Sequence, residues 1–261
     1  MKNKKIIFSI IMTSLLITCG CGNNNSNDKV ENNTSISETV KEPYDENEVI
    51  DTNDDIDNQN VSYTIKKKSY TKNKISIEYP QISGLDNDVQ EKWNKFIEDY
   101  TLKNIKELSA NDVYEENYEV KTESDKLISI LVNTYTNIDG SPYPSSYKRT
   151  YNIDLTNGNN VRIKDSGKVA EYVSNLIEGK NYTVDGDNDL KDAFKEYISS
   201  TYNANKEELT ETINNYDLDV DKELDYDYGY FKGYSYYENG KTILCMNVPH
   251  ALGDCIEVTM D

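Results

Sequence analysis

The sequence predicts an α+β module in which an antiparallel sheet packs against amphipathic helices. Two observations carry that prediction. Period-2 strands and helical-period segments are grouped along the chain and do not strictly alternate. The pair Asn157-Gly158 also lies between two alternating runs, the pattern of a tight hairpin. No internal repeat is evident, and 261 residues suit one domain of ordinary size with appendages.

The first appendage precedes the module. Lys2, Lys4 and Lys5 stand before a twelve-residue apolar run, 6–17. A bilayer-spanning helix needs about 20 residues, so the run reads as a secretory leader. The residues at its end resemble a bacterial lipobox, whose cysteine takes up diacylglycerol. Cys21, after Gly20, is the expected lipid-bearing residue; Cys19, after Thr18, is the alternative. Two or more acyl chains anchor a protein stably, so the expected place is the cell membrane, facing outside. Residues 22–60 carry 11 acids, two lysines and a single aromatic, Tyr44. That composition cannot bury enough surface to offset ordering entropy, which predicts a disordered acidic tether of about 35 Å r.m.s. span.

The module is expected over 61–261, with sub-parts at about 61–138 and 139–261. VSYTIKKKSY (61–70) and KISIEYPQI (74–82) alternate as two strands. Val89, Trp93, Phe96, Tyr100, Ile105 and Leu108 then recur at helical spacing, which predicts a helix over 87–109 capped by Asp86 or Asn87. Strand patterns return at 117–124 and 127–138, and again on either side of the turn at 156–159 within 148–165. Helical spacing marks 166–178, 189–202 and 205–215, and strands close the chain near 228–237, 241–248 and 255–260.

Composition excludes several functions. The net charge is −19, of which −13 remains on 61–261 once the leader's three lysines and the tether's net −9 are removed. A chain this acidic lacks the basic footprint that nucleic acid demands. A single histidine, His250, leaves no HExxH and no His-rich zinc site, and there is no nucleotide loop or GxSxG. No cofactor is expected.

The order of motifs resembles the extracellular domain shared by the anti-sigma factor RsiV and the N-terminal part of PdaC-type peptidoglycan deacetylases. Tyr79-Pro80 and the Trp-bearing helix resemble its first half. Tyr151, Asp154, Leu155 and Gly158 occupy the places of its Y-x-x-D-L-x-x-G motif, and Ala251-Leu252-Gly253 resembles its closing alanine-x-glycine turn. Family members often carry His-Pro where this chain has Tyr143-Pro144. The resemblance implies a two-layer α+β envelope module. The deacetylase partner domain needs a metal held by Asp and several His, which one histidine cannot supply. A sensing or binding module on a lipid anchor is what the resemblance leaves.

Several residues are candidate sites. Asp185, Asp187, Asp189 and Glu196 match acidic positions of a calcium loop, but Leu190 stands where that loop needs Gly. The competing reading is a linker whose Asn188 or Asp189 caps a helix beginning at Leu190. Asp217, Asp219, Asp221, Glu223, Asp225 and Asp227 form an acidic ladder, read as a solvated loop or a docking surface for a cationic protein. Tyr147, Tyr151, Tyr226, Tyr228, Tyr230, Tyr234, Tyr236 and Tyr237 suit either sheet structure or an interface and sugar stacking. Carboxylate pairs are too abundant to identify a catalytic one, and His250 reads as a loop histidine. Cys245 and Cys255 flank a predicted hairpin; centred on His250, it places them opposite each other as a disulfide candidate, with free thiols the alternative. The expected function is therefore a non-enzymatic envelope lipoprotein whose extracellular module binds a partner or ligand, a cationic, lysozyme-type protein being one candidate. A peptidoglycan-binding or peptidoglycan-modifying protein using carboxylates is the alternative.

Overall fold

The computed structural model describes residues 62–186, 188–202, 205–220 and 233–261. Its first half is one six-stranded sheet. Strands β1 (Thr64–Lys72), β2 (Ile75–Ser83), β3 (Val113–Glu123), β4 (Leu127–Asn137), β5 (Ser145–Asp154) and β6 (Asn159–Asn160) lie in sequence order. The sheet is antiparallel except for β2 and β3, which pair in parallel over three residues. Parallel neighbours need a crossover, and helix α1 (Asn87–Lys103) supplies it. The sheet continues across the division expected at 138/139, because β4 and β5 pair from Leu127↔Asp154 to Thr136↔Ser145.

The α+β class is as predicted, but the expected two layers are four. A second sheet, ordered β7-β10-β9-β8, is built from β7 (Tyr182–Val184), β8 (Gly233–Glu238), β9 (Lys241–Asn247) and β10 (Cys255–Met260). It packs on the face of the first sheet opposite α1, and its own outer face carries α2 (Val169–Glu178), α3 (Asn188–Tyr202) and α4 (Lys206–Asn214). The reason is visible in β4, where Ile128 to Val132 are five consecutive buried residues. A strand with one solvated face alternates; an unbroken buried run means both faces are covered.

Helix α1 begins as predicted, with the Asp86 carboxylate accepting the Asp88 N–H at 3.1 Å. It ends at Lys103, six residues before the expected limit, while Ile105 and Leu108 still pack against the core from the turns beyond. Its buried stripe is Trp93, Phe96, Ile97 and Thr101. Trp93 is fully buried and donates its indole N–H to the Gly158 carbonyl at 3.0 Å. This bond ties the helix to the Asn-Gly turn, and it explains the motif residues around it. Asp154 holds the turn by accepting from Thr156 N–H and Oγ1 and from Asn157 Nδ2 at 2.6–2.9 Å. The second strand of that hairpin is shorter than predicted: β6 has two residues, and a 3₁₀ turn at Ile163–Ser166 comes after it.

Gly158 has φ +71°, and a Cβ there would stand 2.5 Å from Val89 Cγ2. Gly158→Ala therefore combines backbone strain with overpacking, and should cost about 1–3 kcal/mol. Urea unfolding checks this; a midpoint within error of the unaltered protein would show that α1 shifts freely against the turn.

Candidate functional site

The first sheet buries an ion pair at the foot of α1. Arg149 and Glu116 are 1% and 3% exposed. Glu116 Oε2 accepts from Arg149 Nη1 and from the Tyr114 hydroxyl at 2.8 Å each, and Oε1 accepts from Arg149 Nη2 and Thr101 Oγ1. Arg149 Nε donates to the Tyr151 hydroxyl at 2.9 Å, and the guanidinium lies 5.1 Å from the Tyr100 ring centroid. Burial alone would lower the guanidinium's affinity for its proton; Glu116 beside it more than reverses this, so Arg149 is held charged. With its polar atoms satisfied inside the core, this network is structural.

A second polar set joins the sheets. Asp217, at φ +68°, is buried, and Ile163 N–H and Ser235 Oγ donate to its Oδ2 at 2.7 and 2.8 Å. Ser235 N–H donates to Oδ1. Next to it, Asp219 pairs with Arg162. The acidic ladder thus begins as a buried clamp, where a solvated loop was expected; Asp221, Glu223, Asp225 and Asp227 lie outside the described residues.

The concave surface lies where the second sheet stops short of the end of the first. A cleft of about 250 Å³ is floored by Glu115, Asn117, Asn133, Tyr135 and Lys148, and walled by Gly253 and Cys255 of the β9–β10 turn. Asn133 Nδ2 donates to Glu119 Oε1 at 2.9 Å and to Asn117 Oδ1 at 3.3 Å, which fixes the amide row. Lys148 Nζ is 2.8 Å from Glu257 Oε1; burial pushes its pKa down, but Glu257 outweighs this and the ammonium stays charged. Tyr135 is 37% exposed at the floor, and Tyr143, 66% exposed, stacks on His250 with ring centroids 5.5 Å apart. The set offers amides, paired charges and open tyrosine rings, which is chemistry for holding a polar ligand or a protein loop. A larger depression of about 580 Å³ runs along α4 from Lys206 to Asn215, and among the described residues it is lined by that helix and its end alone.

The remaining sequence candidates are spread over the fold. Cys21, Cys19 and Asp187 lie outside the described residues. Helix α3 starts at Asn188, so Asn188 and Asp189 are inside it and neither caps a helix beginning at Leu190. Asp185, Asp189 and Glu196 do not gather into a metal-holding cluster among the described residues. Tyr151, Tyr234 and Tyr236 are buried in the core; Tyr226, Tyr228 and Tyr230 are not described. His250 sits in an exposed 3₁₀ turn and pairs with Asp254 at 3.0 Å. Cys255 stands opposite Asn247, and Cys245 opposite Glu257, so the hairpin is centred one residue later than expected and the two cysteines are diagonal neighbours. Both are free thiols. Glu116, Arg149 and the cleft floor were missed from sequence; the available signal was charged residues at period-2 positions shared with Tyr114 and Tyr151.

Two expected outcomes test these networks. Arg149→Met strands a buried carboxylate and should cost about 3–5 kcal/mol, whereas Arg149→Met with Glu116→Leu should recover most of that loss. Denaturant midpoints decide it; a double variant no better than the single would acquit Glu116. Burial raises the Asp217 carboxyl to about 6, against the N–H donors of Ile163 and Ser235. The folded state then binds its proton more tightly than the unfolded state does. Stability should fall as pH rises from about 4 to 6, by an amount on the order of 3 kcal/mol, and then level off. Asp217→Asn should lack this component when stabilities are compared across that range, and an unchanged pH profile would refute it.

No family model matches the sequence, and no curated protein matches it. Among solved structures, the chain is similar to a DUF3298 family protein from Pseudomonas aeruginosa at 9% identity and a TM-score of 0.30. It is also similar to a DUF3298 member from Bacteroides fragilis at 12% identity and a TM-score of 0.32. Each match covers 45% of this chain and 66% of the other, so the chain spans just under two thirds of either protein. The structural neighbours include DUF3298 proteins.

Proposed function

We propose that this protein is a lipid-anchored envelope protein whose module binds a partner outside the cell without chemically altering it. The leader, the cysteine after Gly20 and the acidic stretch 22–60 support the address. The observation that carries the binding role is the cleft: side-chain amides and an open tyrosine ring line a floor built from the strands of the first sheet. Its carboxylates and its one ammonium are engaged in pairing or lie on separate strands, an arrangement suited to recognition. The net −13 over 61–261 favours a cationic partner such as a lysozyme-type protein, whose encounter it would steer.

The amide row and Tyr135 also suit a peptidoglycan glycan, because hydroxyl-rich rings take hydrogen bonds at their edges and stacking on their faces. Calorimetry of the purified protein with a cationic lysozyme and with soluble muropeptides separates the two readings. Lysozyme binding that weakens in salt, and drops at least tenfold in Tyr135→Ala with Asn133→Ala, is the expected result. Binding of muropeptides alone moves the assignment to the wall, and release of sugar products would overturn the non-enzymatic reading.

A further inference from the structure

The two thiols of the module are placed differently from ordinary core cysteines. Cys245 is 0% exposed, whereas Cys255 is half-buried and forms part of the cleft wall. Positions 245 and 257 are paired and 255 lies two residues from 257, so both side chains leave the same face of the β9–β10 ladder, toward the first sheet. The neighbouring Cys255 thiol, with burial added, pushes the Cys245 pKa well up. Cys245 is fully shielded and keeps its proton, whereas Cys255, in the cleft wall, is the thiol that a dissolved reagent meets. The Lys148 ammonium lies within electrostatic reach of both sulfurs.

We propose that Cys255 and Cys245 form a reversible dithiol–disulfide site opening on the cleft, with Cys255 as the entry thiol, Cys245 as the resolving thiol and a low-molecular-weight disulfide as oxidant. The Cys255 thiolate attacks one sulfur of the disulfide RSSR, forming a mixed disulfide and releasing RS⁻, which takes up the proton that Cys255 gave to solvent. Cys245 then attacks the Cys255 sulfur, its proton passing to the second departing RS⁻. The two protein thiols are oxidised to one disulfide, and RSSR is reduced to two RSH.

Register gives the site its reversibility. Diagonal neighbours on a ladder stand about 7–8 Å apart, at or beyond the limit of a disulfide made without backbone movement. Closing the bond must shift the turn between β9 and β10, and a strained bond is readily reduced. That turn is coupled to the cleft floor, because the Asp254 carboxylate accepts the Ser146 N–H at 3.1 Å and pairs with His250. Oxidation would therefore reshape the cleft wall. The chemistry at the thiols stands independently of what the cleft binds.

The full chain carrying Cys19→Ser and Cys21→Ser, so that only the two module thiols are counted, is incubated folded with oxidised glutathione and followed by intact mass and peptide mapping. The expected course is a transient glutathione adduct on Cys255, then an intramolecular disulfide with loss of two hydrogens and no adduct. Adding Cys245→Ala should trap a lasting adduct on Cys255, and adding Cys255→Ala should leave Cys245 unmodified until denaturation. If Cys245→Ala does not fold, the time course of the parent chain alone still decides. A persistent adduct on Cys255 in the parent chain, reaction first at Cys245, or two thiols that react only after denaturation would each overturn the proposal.

Discussion

The architecture depends on how the outer edge of β8 is closed. An edge strand presents N–H and C=O groups that its own sheet cannot pair, and burying such a group unsatisfied costs about 1–3 kcal/mol. Here side chains replace the missing strand. The Ser235 N–H goes to Asp217 and its carbonyl accepts from Asn152 Nδ2 at 2.8 Å. The Tyr237 N–H goes to Ser129 Oγ at 2.9 Å and its carbonyl accepts from Thr122 Oγ1 at 2.6 Å. Three of these four side chains belong to the first sheet, so closing the edge and joining the two sheets are one event. Ser129 also donates to Asn152 at 2.7 Å, which orients the amide toward β8.

This closure explains features that look misplaced one at a time. Ser129 interrupts the apolar run of β4 and Asn152 interrupts that of β5, yet both are buried because a strand backbone lies over them. Asp217 accepts desolvation because three donors converge on it, one of them from the 3₁₀ turn after β6. Gly233 begins β8 without a side chain because a Cβ there would meet Tyr216 and the Cys245 carbonyl within 2.5 Å. The Arg149–Glu116 network does similar work on the other face. It supplies a polar layer beneath α1 where Thr101, Tyr114 and Tyr151 converge, with no solvent needed to satisfy it.

Much of this was legible in the sequence, and the boundary between legible and hidden is physical. Helices α1 to α4 show because one buried stripe at 3.6-residue spacing marks each of them. The Asn-Gly turn shows because it demands positive φ at Gly158. The second sheet does not show as separate, since strand alternation reports how many faces are buried and not which element covers them. The parallel β2–β3 pair is hidden for the same reason. The diagonal placement of Cys245 and Cys255 was missed because Pro249-His250 suggested the apex, while the seven-residue connection 248–254 has its centre at Ala251. The cleft floor was invisible, since Glu115, Asn117, Asn133 and Tyr135 read as ordinary solvated strand residues until the turn beside them is placed.

The cleft itself results from how the second sheet crosses the first: β8 lies across the row Asn152, Ser129 and Thr122, and β10 with the β9–β10 turn reaches further along β5 only to Lys148 and Ser146. Covered positions carry Ser129, Leu131, Thr150 and Asn152, all buried; two residues further along the same face stand Asn133 and Lys148, and two beyond those Tyr135 and Ser146. The change from buried to open occurs within one pleat repeat, at the point where the β9–β10 turn ends its reach. A covering sheet of full length would have required an apolar face throughout. The polar residues that begin where it stops are therefore its complement, and the turn carrying Gly253 and Cys255 forms the wall beside them.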